Sequence, residues 1–180
     1  LSRMSILPTG INTWFQSDAP RNAKIITYRL VLHLMAKPFI KWAGGKRQLL
    51  GEISNRFPND MKVYSTYIEP FVGGGAVLFH LLEKHDFDKV HIFDINPELT
   101  LCYEMLKDSA AKVCIELKTM IDEYPPQDTD ERREYYYSVR VAWNKGVSEL
   151  KSMSKTKKIK RAAQTIFLNK TCFNGLFRVN

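Results

Sequence analysis

The segment that most constrains the fold is "YIEPFVGGGAVLFHL", residues 67 to 81, in which three consecutive glycines separate two apolar runs. The run before the glycines is rich in β-branched and aromatic residues and predicts a strand, whereas "GAVLFHLLEKHD" predicts a helix. Glycine allows a sharp turn and lets another molecule approach the backbone without meeting a side chain. The turn therefore either holds a ligand or allows close helix–sheet packing.

A carboxylate further along the chain favours the ligand. Asp94 follows a second predicted strand, "KVHIFDI", 21 residues after Gly73. In this arrangement backbone N–H groups and a helix N-terminus face a nucleoside, while the carboxylate accepts hydrogen bonds from the ribose hydroxyls. Leu78 occupies the sixth position of a G-x-G-x-x-G pattern, and no G-K-[ST] follows the glycines. These departures favour a nucleoside without a pyrophosphate, of which S-adenosylmethionine is the commonest.

The predicted elements follow the order strand, glycine turn, helix, strand, helix, which indicates a βαβ unit and the start of a parallel sheet. Before them, "KPFIKWAGGKRQLLGEISNRF" begins extended, turns at two glycines and continues with helical spacing. After Ser109 every patterned segment is helical. We therefore expect an α/β fold, with a cofactor-binding domain over residues 35–110 and a helical, basic module over residues 111–180.

The two ends of the chain lack these patterns. Residues 1–34 show no sustained period of 2 or 3.6, and Met35 directly precedes the first patterned segment. We expect residues 1–34 to be a leader or non-native extension that is poorly ordered. The chain stops at "FRVN" without a helix or strand terminator, which predicts that the complete protein continues past Asn180.

The net charge of +8 is unevenly distributed along the chain. Residues 37–110 are nearly neutral, whereas residues 111–180 contain 14 Lys and Arg against 8 Asp and Glu. A basic rear half predicts contact with a polyanion, and a solvated helix face is the alternative. The densest run, "KTKKIKR" at residues 155 to 161, is a candidate for phosphate contacts.

Composition excludes several other classes of protein. The three cysteines, Cys102, Cys114 and Cys172, are far apart and have no C-x-x-C spacing, so we expect reduced thiols in a cytoplasmic protein and no metal site. No apolar stretch approaches the roughly 18 residues that span a bilayer, so we expect no membrane partner.

Two further clusters are candidate binding segments. In "KWAGGK", residues 41 to 46, Trp42 offers a flat face and Lys46 a positive charge beside a glycine turn. In "FLNKTCFNGLFRVN", residues 167 to 180, amides and a guanidinium group beside aromatic residues suit hydrogen bonding to base edges and base stacking. A core tryptophan and an ordinary turn remain the alternatives.

Taken in this order, the three segments resemble the Dam-type DNA adenine methyltransferases over residues 35 to 180. "KPFIKWAGGK" is similar to that family's first cofactor motif, "EPFVGGG" to its F-x-G-x-G cofactor loop, and "IFDIN" to its acidic ribose-binding strand end. "LNKTCFNGL" with "FRVN" is similar to the start of its target-recognition region. The resemblance implies a Rossmann-like S-adenosylmethionine methyltransferase sheet, incomplete in this chain, with a helical DNA-recognition module.

The resemblance also implies roles for individual residues. Cofactor contacts are assigned to Trp42, Ala43, Gly44, Gly45, Lys46, Glu69, Pro70, Phe71, Gly73, Gly75 and Asp94. DNA contacts are assigned to Lys41, Lys170, Phe173, Asn174, Arg178 and Asn180. The implied cofactor is S-adenosylmethionine and the implied partner double-stranded DNA, bound by a monomer of bacterial or phage type.

One motif of the family is missing. Asp-Pro-Pro-Tyr, its catalytic motif, does not occur, and Tyr124-Pro125-Pro126 lacks the aspartate and precedes the recognition segment. The resemblance therefore implies no catalytic residue in these 180 residues. It implies that the complete protein methylates adenine N6 in a short duplex site, most often GATC. The alternatives are a non-catalytic or decayed DNA-binding methyltransferase, and a methyltransferase that acts on RNA or protein.

Overall fold

The computed structural model describes residues 4–5, 37–126, 129–145, 150 and 152–172. Its sheet has three strands, which are β1 (Met4–Ser5), β2 (Thr66–Glu69) and β3 (Lys89–Ile92). Strand β3 lies in the middle, parallel to β2 and antiparallel to β1. The parallel pair begins with Thr66 opposite Lys89 and ends with Glu69 opposite Ile92. Both parallel strands therefore end at the same edge of the sheet.

Five α-helices occur in the described residues. They are α1 (Leu50–Ser54), α2 (Ala76–Lys84), α3 (Pro97–Glu123), α4 (Asp130–Lys145) and α5 (Lys155–Thr171). Short 3-10 turns cover Lys46–Leu49 and Met61–Val63. The expected strand, glycine turn, helix, strand, helix order is confirmed, because β2, α2, β3 and α3 follow each other along the chain. The chain has a mixed α/β fold that is mostly helical.

Helix α3 begins at a strong start signal. The side chain of Asn96 accepts hydrogen bonds from the backbone N–H groups of Glu98 and Leu99, at 2.9 and 3.2 Å, and Pro97 occupies the first turn. These contacts satisfy N–H groups that have no partner within the helix. The helix is kinked at Ser109, where the backbone angles are not helical. Along the chain, α3 begins five residues after the last residue of β3.

The chain divides into two compact units. The first holds the sheet and comprises Leu1–Phe39 and Ala43–Ile95, and the second holds Ile40–Trp42 together with the chain from Asn96 onward. The division by contacts falls at Asn96, because the first turns of α3 pack with the later helices. The expected boundary near residue 110 stays a prediction. Of residues 1–34, only Met4–Ser5 are described, so the expected leader lies largely outside the described residues.

Each unit has its own apolar core. In the first unit the buried side chains come from the glycine loop, α2 and β3, and they are Val72, Val77, Leu78, Leu81, Val90 and Ile92. In the second unit, α5 packs against α3 and α4. Its fully buried side chains include Leu99, Cys102, Val113, Trp143, Ala162, Ala163 and Leu168. Two adjacent alanines on α5 let neighbouring helices approach closely. Within the described residues, no helix combines the length and apolarity needed to cross a bilayer.

Candidate functional site

Backbone hydrogen bonds hold the glycine loop, residues 71–75, to the sheet. The N–H of Val72 donates to the carbonyl of Phe93 at 2.9 Å, and Gly75 N–H donates back to the Val72 carbonyl at 2.9 Å. Gly73 and Gly75 have φ angles of 53° and 82°, in the left-handed region that glycine adopts without a steric penalty. Glycine is therefore required at both positions by the shape of the turn itself.

The acidic residue after β3 contacts this loop directly. The backbone N–H of Gly73 donates to Oδ2 of Asp94 at 2.9 Å. Asp94 is half-buried and stands two residues beyond the end of β3, at the edge where β2 also ends. The structure thus brings together two residues that the sequence places 21 positions apart. A carboxylate held beside a glycine turn at the carboxyl edge of parallel strands suits a nucleoside ligand.

A second polar cluster supports the start of the loop. Lys46 Nζ lies 2.7 Å from Oε1 of Glu69 and also donates to the carbonyl of Phe71. The hydroxyl of Tyr67 donates to Oε2 of Glu69 at 2.8 Å, so both carboxylate oxygens have partners. Glu69 is buried, and the contacts with Lys46 and Tyr67 offset the cost of burying its charge. Lys46 is thereby held against the first residues of the loop.

Tyr67 was not among the residues singled out from the sequence. Burial, and after it the negative charge of Glu69, raises the pKa of Tyr67, so its hydroxyl keeps its proton and remains a donor. A signal was present, because Tyr67 and Glu69 are two residues apart on a strand and so point to the same face. Their pairing still depended on Lys46 approaching from a different part of the chain.

Two apolar side chains are exposed close to these polar anchors in sequence. Phe71 is 69% exposed and follows β2, whereas Ile95 is 87% exposed and follows Asp94. Such strongly exposed large side chains are available to a flat apolar ligand. Phe71 was singled out from the sequence, whereas Ile95 was not.

The cofactor-like motif at residues 41 to 46 divides between the two units. In the second unit, the backbone N–H of Lys41 donates to Oδ1 of Asn169 at 2.9 Å, and Nδ2 of Asn169 donates to the Lys41 carbonyl at 2.7 Å. Trp42 is half-buried. In the first unit, Gly44 has a φ angle of 73° and open space where a Cβ would point. Sequence reasoning missed Asn169, because a single buried amide on an apolar helix face has no pattern of its own.

The candidate DNA contacts are only partly described. Lys41 and Lys170 are exposed, so both lysine side chains are accessible to a charged partner. Four other candidates, Phe173, Asn174, Arg178 and Asn180, lie outside the described residues.

The expectation for the basic run at residues 155 to 161 needs one correction. Arg161 is 3% exposed, and its guanidinium group is paired with the buried carboxylate of Glu98 at 2.6 Å. It is therefore not available to a phosphate, because its donors already have partners inside the unit. Lys155, Lys157 and Lys160 are exposed on α5.

Contacts with Arg132 and Phe167 hold the Tyr124-Pro125-Pro126 segment in place. The guanidinium carbon of Arg132 lies 4.2 Å from the centroid of the Tyr124 ring, and the same side chain donates to the carbonyls of Pro125 and Pro126 at 3.1 and 3.0 Å. The Tyr124 ring also packs edge-on against Phe167 at 5.1 Å between centroids. These contacts join the end of α3 to α4 and α5.

A cavity of about 820 Å³ lies at the other end of α2 and is lined by residues of 54–62 and 80–85. Ser54 Oγ is 2.9 Å from Nε2 of His80, an arrangement that resembles a nucleophile and its base. The Ser54 hydroxyl, however, donates to the carbonyl of Leu50 at 2.6 Å, so the His80 ring must donate to Ser54. Burial lowers the pKa of His80. The pair joins α1 to α2 and does not activate a nucleophile.

In the described residues, no group of His, Cys, Asp and Glu could hold a metal ion.

A comparison with protein families gives a match over most of the chain. The profile described as D12 class N6 adenine-specific DNA methyltransferase matches residues 42–180. This range includes the glycine loop, Asp94 and Asn169.

Individual relatives agree with this match. The chain is 49% identical over 146 residues to the Type II methyltransferase M.MjaIII of Methanocaldococcus jannaschii, covering 80% of this chain and 48% of that protein. It is 37% identical to the Type II methyltransferase M1.LlaDCHI of Lactococcus lactis subsp. cremoris, covering 80% and 44%. It is 33% identical to the DNA adenine methylase of Haemophilus influenzae, covering 82% and 44%. The chain spans about half the length of these curated relatives.

Proposed function

This chain belongs to the D12 class of N6 adenine-specific DNA methyltransferases, and we propose that the complete protein transfers a methyl group from S-adenosylmethionine to N6 of adenine in duplex DNA. The observation that carries the proposal is the 2.9 Å hydrogen bond from the Gly73 N–H to Asp94. It joins the glycine loop to the acidic strand end, which are the two parts that a nucleoside ligand needs at once.

Within this proposal the cofactor is held by the residues at the carboxyl edge of the sheet. Asp94 accepts hydrogen bonds from the ribose hydroxyls, and the turn at Gly73 and Gly75 lets the methionine part lie against the backbone. The resemblance adds Lys46 and Trp42 as proposed cofactor contacts. The remaining lining residues are Ala43, Gly44, Gly45, Glu69, Pro70 and Phe71. Glu69 acts indirectly, since its carboxylate is already bonded to Lys46 and Tyr67.

The proposed fold of the complete protein is a Rossmann-like sheet that extends the β2–β3 pair, together with a helical module that reads DNA. The exposed lysines of α5 and the basic balance of residues 111–180 support a polyanionic partner. Lys41, Lys170, Phe173, Asn174, Arg178 and Asn180 are the proposed DNA contacts. We propose GATC as the recognised site, and a cytoplasmic monomer as the active form.

The chemistry explains why the site must be assembled from several parts. The exocyclic amine of adenine is a poor nucleophile, because its lone pair is delocalised into the ring, and it is inaccessible to in-line attack inside a duplex. Bound S-adenosylmethionine supplies an electrophilic methyl carbon attached to a good leaving group. The described residues hold and orient this ligand, and positioning supplies much of the acceleration. The family resemblance assigns the groups that accept hydrogen bonds from the amine to an Asp-Pro-Pro-Tyr motif, which these 180 residues do not contain.

The test is a methyl-transfer assay with the full-length protein, radiolabelled S-adenosylmethionine, and duplexes with and without GATC. We expect label in N6-methyladenine after nucleoside digestion, and only in duplexes with the recognised site. DNA binding without methyl transfer would instead favour a non-catalytic DNA-binding protein. Tighter binding of A-form RNA than of duplex DNA in a competition assay would favour an RNA methyltransferase.

A further inference from the structure

The carboxamide of Asn169 pairs with the backbone of a single distant residue. Its Oδ1 accepts from the Lys41 N–H at 2.9 Å, and its Nδ2 donates to the Lys41 carbonyl at 2.7 Å. Asn169 has no exposed surface, and it is 128 positions from Lys41. A carboxamide is both a donor and an acceptor, so it can bond to the N–H and the carbonyl of one residue, as a neighbouring β-strand does. The contact therefore fixes the backbone of residue 41 within the second unit.

The helix that carries Asn169 is itself firmly held. Arg161, two turns earlier on α5, is bonded to the buried Glu98 of α3, and the Thr165 hydroxyl accepts from the indole N–H of Trp143 in α4 at 2.9 Å. Residues on a rigid, packed helix position their partners more accurately than residues on a loop. Asn169 can therefore transmit the position of α5 to the Lys41 backbone.

The residues on either side of this contact have different proposed partners. Trp42 follows Lys41 and is a proposed cofactor contact, whereas Lys170 follows Asn169 and begins the proposed DNA-contact segment. We infer that Asn169 is a positioning residue that couples cofactor binding to DNA binding, by joining the backbone beside Trp42 to the helix end that precedes the recognition segment. This inference rests on the proposed function.

The coupling has a simple physical origin. A ligand that contacts Trp42 stabilises the paired state of Lys41 and Asn169 against local opening, and with it the last turn of α5. The second ligand then binds beside a helix end whose local opening is already suppressed, so its own binding is opposed less by that opening. Because coupling between two binding equilibria is reciprocal, DNA must strengthen cofactor binding by the same factor as cofactor strengthens DNA binding.

The experiment measures this factor directly in the full-length protein. The affinity for S-adenosylhomocysteine, which has no methyl group to transfer, is measured by calorimetry with and without a saturating duplex. For the wild type we expect the duplex to tighten binding by about fivefold or more, within the usual range of coupling between sites.

The informative variant is Asn169→Leu. It keeps a side chain of similar size but removes both the acceptor for the Lys41 N–H and the donor to the Lys41 carbonyl. For this variant, we expect that adding the duplex changes the protein's affinity for S-adenosylhomocysteine by less than about twofold, well below the usual coupling range. The matched control is Thr165→Val, which destabilises the same helix one turn earlier without touching Lys41 and should keep the wild-type factor.

Amide exchange in the unmutated protein gives an independent test if the variant fails to fold. The Lys41 N–H should exchange more slowly on addition of either S-adenosylhomocysteine or the duplex alone. The inference is overturned if Asn169→Leu keeps the wild-type coupling, if the wild type binds both ligands without coupling, or if Lys41 protection responds to one ligand only. A wild-type protein that binds neither ligand would instead count against the proposed function.

Discussion

Arg161 and Glu98 form a buried ion pair across 63 positions of the sequence. The guanidinium Nε lies 3.0 and 2.9 Å from the two carboxylate oxygens, and Nη2 lies 2.6 Å from Oε1. The side chains are 3% and 6% exposed. The remaining donor group, Nη1, bonds to the Trp143 carbonyl at 2.7 Å, and the guanidinium carbon lies 4.7 Å from the Trp143 ring centroid. One arginine thus joins α5 to both α3 and α4.

Removing one charge of this pair should be strongly destabilising. Glu98→Ala leaves the guanidinium group of Arg161 buried without its counter-ion, so we expect the free energy of unfolding to fall by about 3–5 kcal/mol in urea denaturation. The matched control is Glu52→Ala, which removes an exposed pair with Arg56 at 3.0 Å. Exposed pairs of this spacing contribute about 0.3–0.5 kcal/mol. Similar losses for the two variants would contradict the role assigned to the buried pair.

The charge of Asp94 can be separated from its contact with the loop. In Asp94→Asn the amide oxygen can still accept from the Gly73 N–H, but the amide nitrogen cannot accept from a ribose hydroxyl. We expect affinity for S-adenosylhomocysteine to fall about 10- to 100-fold, corresponding to one lost hydrogen bond to a charged group, with little change in the unfolding midpoint. Asp88→Asn, at an exposed position before β3, should leave both unchanged. Unaltered affinity of Asp94→Asn in calorimetry would remove Asp94 from the cofactor site.

The glycines of the loop should differ in their tolerance of a side chain. Gly75 is buried and has a φ angle of 82°, so Gly75→Ala should reduce the free energy of unfolding by about 1–2 kcal/mol through backbone strain. Gly74 does not have a positive φ, so Gly74→Ala carries no such penalty. Thermal unfolding of the two variants side by side measures the difference. A larger loss for Gly74→Ala would show that close packing, and not φ, selects glycine here.

The exposed lysines of α5 should change the salt dependence of DNA binding and leave the sequence preference unchanged. If Lys155, Lys157 and Lys160 contact phosphates, replacing each with Gln should reduce the slope of log affinity against log salt by about 1, with no change in sequence preference. Lys118, which is paired with Asp122 at 2.8 Å on α3, provides the control. Anisotropy titrations of a duplex at several salt concentrations measure the slope. An unchanged slope for all three lysines would assign the charge of α5 to solvation.

The cysteines should react with thiol reagents in the order of their exposure. Burial raises the pKa of Cys102 to about 12, so near pH 8 its thiol keeps its proton and the reactive thiolate is scarce. Cys114 is exposed and Cys172 is intermediate. We expect fast labelling at Cys114 and no labelling at Cys102 until the protein unfolds. Mass spectrometry of the labelled peptides measures both rates. Rapid labelling of Cys102 in the folded protein would contradict the packing of α3 against α5.

Much of the first unit could be predicted from local patterns. The β2, α2 and β3 elements follow from the change of hydrophobic period around the glycines, since neighbouring residues alone determine that period. The proximity of Asp94 to Gly73 could be predicted for a related reason. In a βαβ unit both strands end at the same edge, so a spacing along the chain becomes a distance in space.

The charge run on α5 shows where local patterns stop being informative. Among the five Lys and Arg residues of the run at 155 to 161, which look like a solvated basic face, Arg161 is buried because Glu98 occupies the facing helix. The environment of an ionisable side chain depends on residues packed around it, and no period along its own helix identifies them. Tyr67 was missed for the same reason, since its partner Glu69 depends on Lys46.

The βαβ start, the positions that require glycine and the family of the chain follow from the amino-acid sequence, because these depend on short-range geometry and on motif order. The burial of Arg161 and the pairing of Asn169 with the Lys41 backbone are seen only in the folded chain. Both contacts join segments more than 60 residues apart. Such contacts form only when the helices have packed, since burial first removes the water that would otherwise satisfy these polar groups.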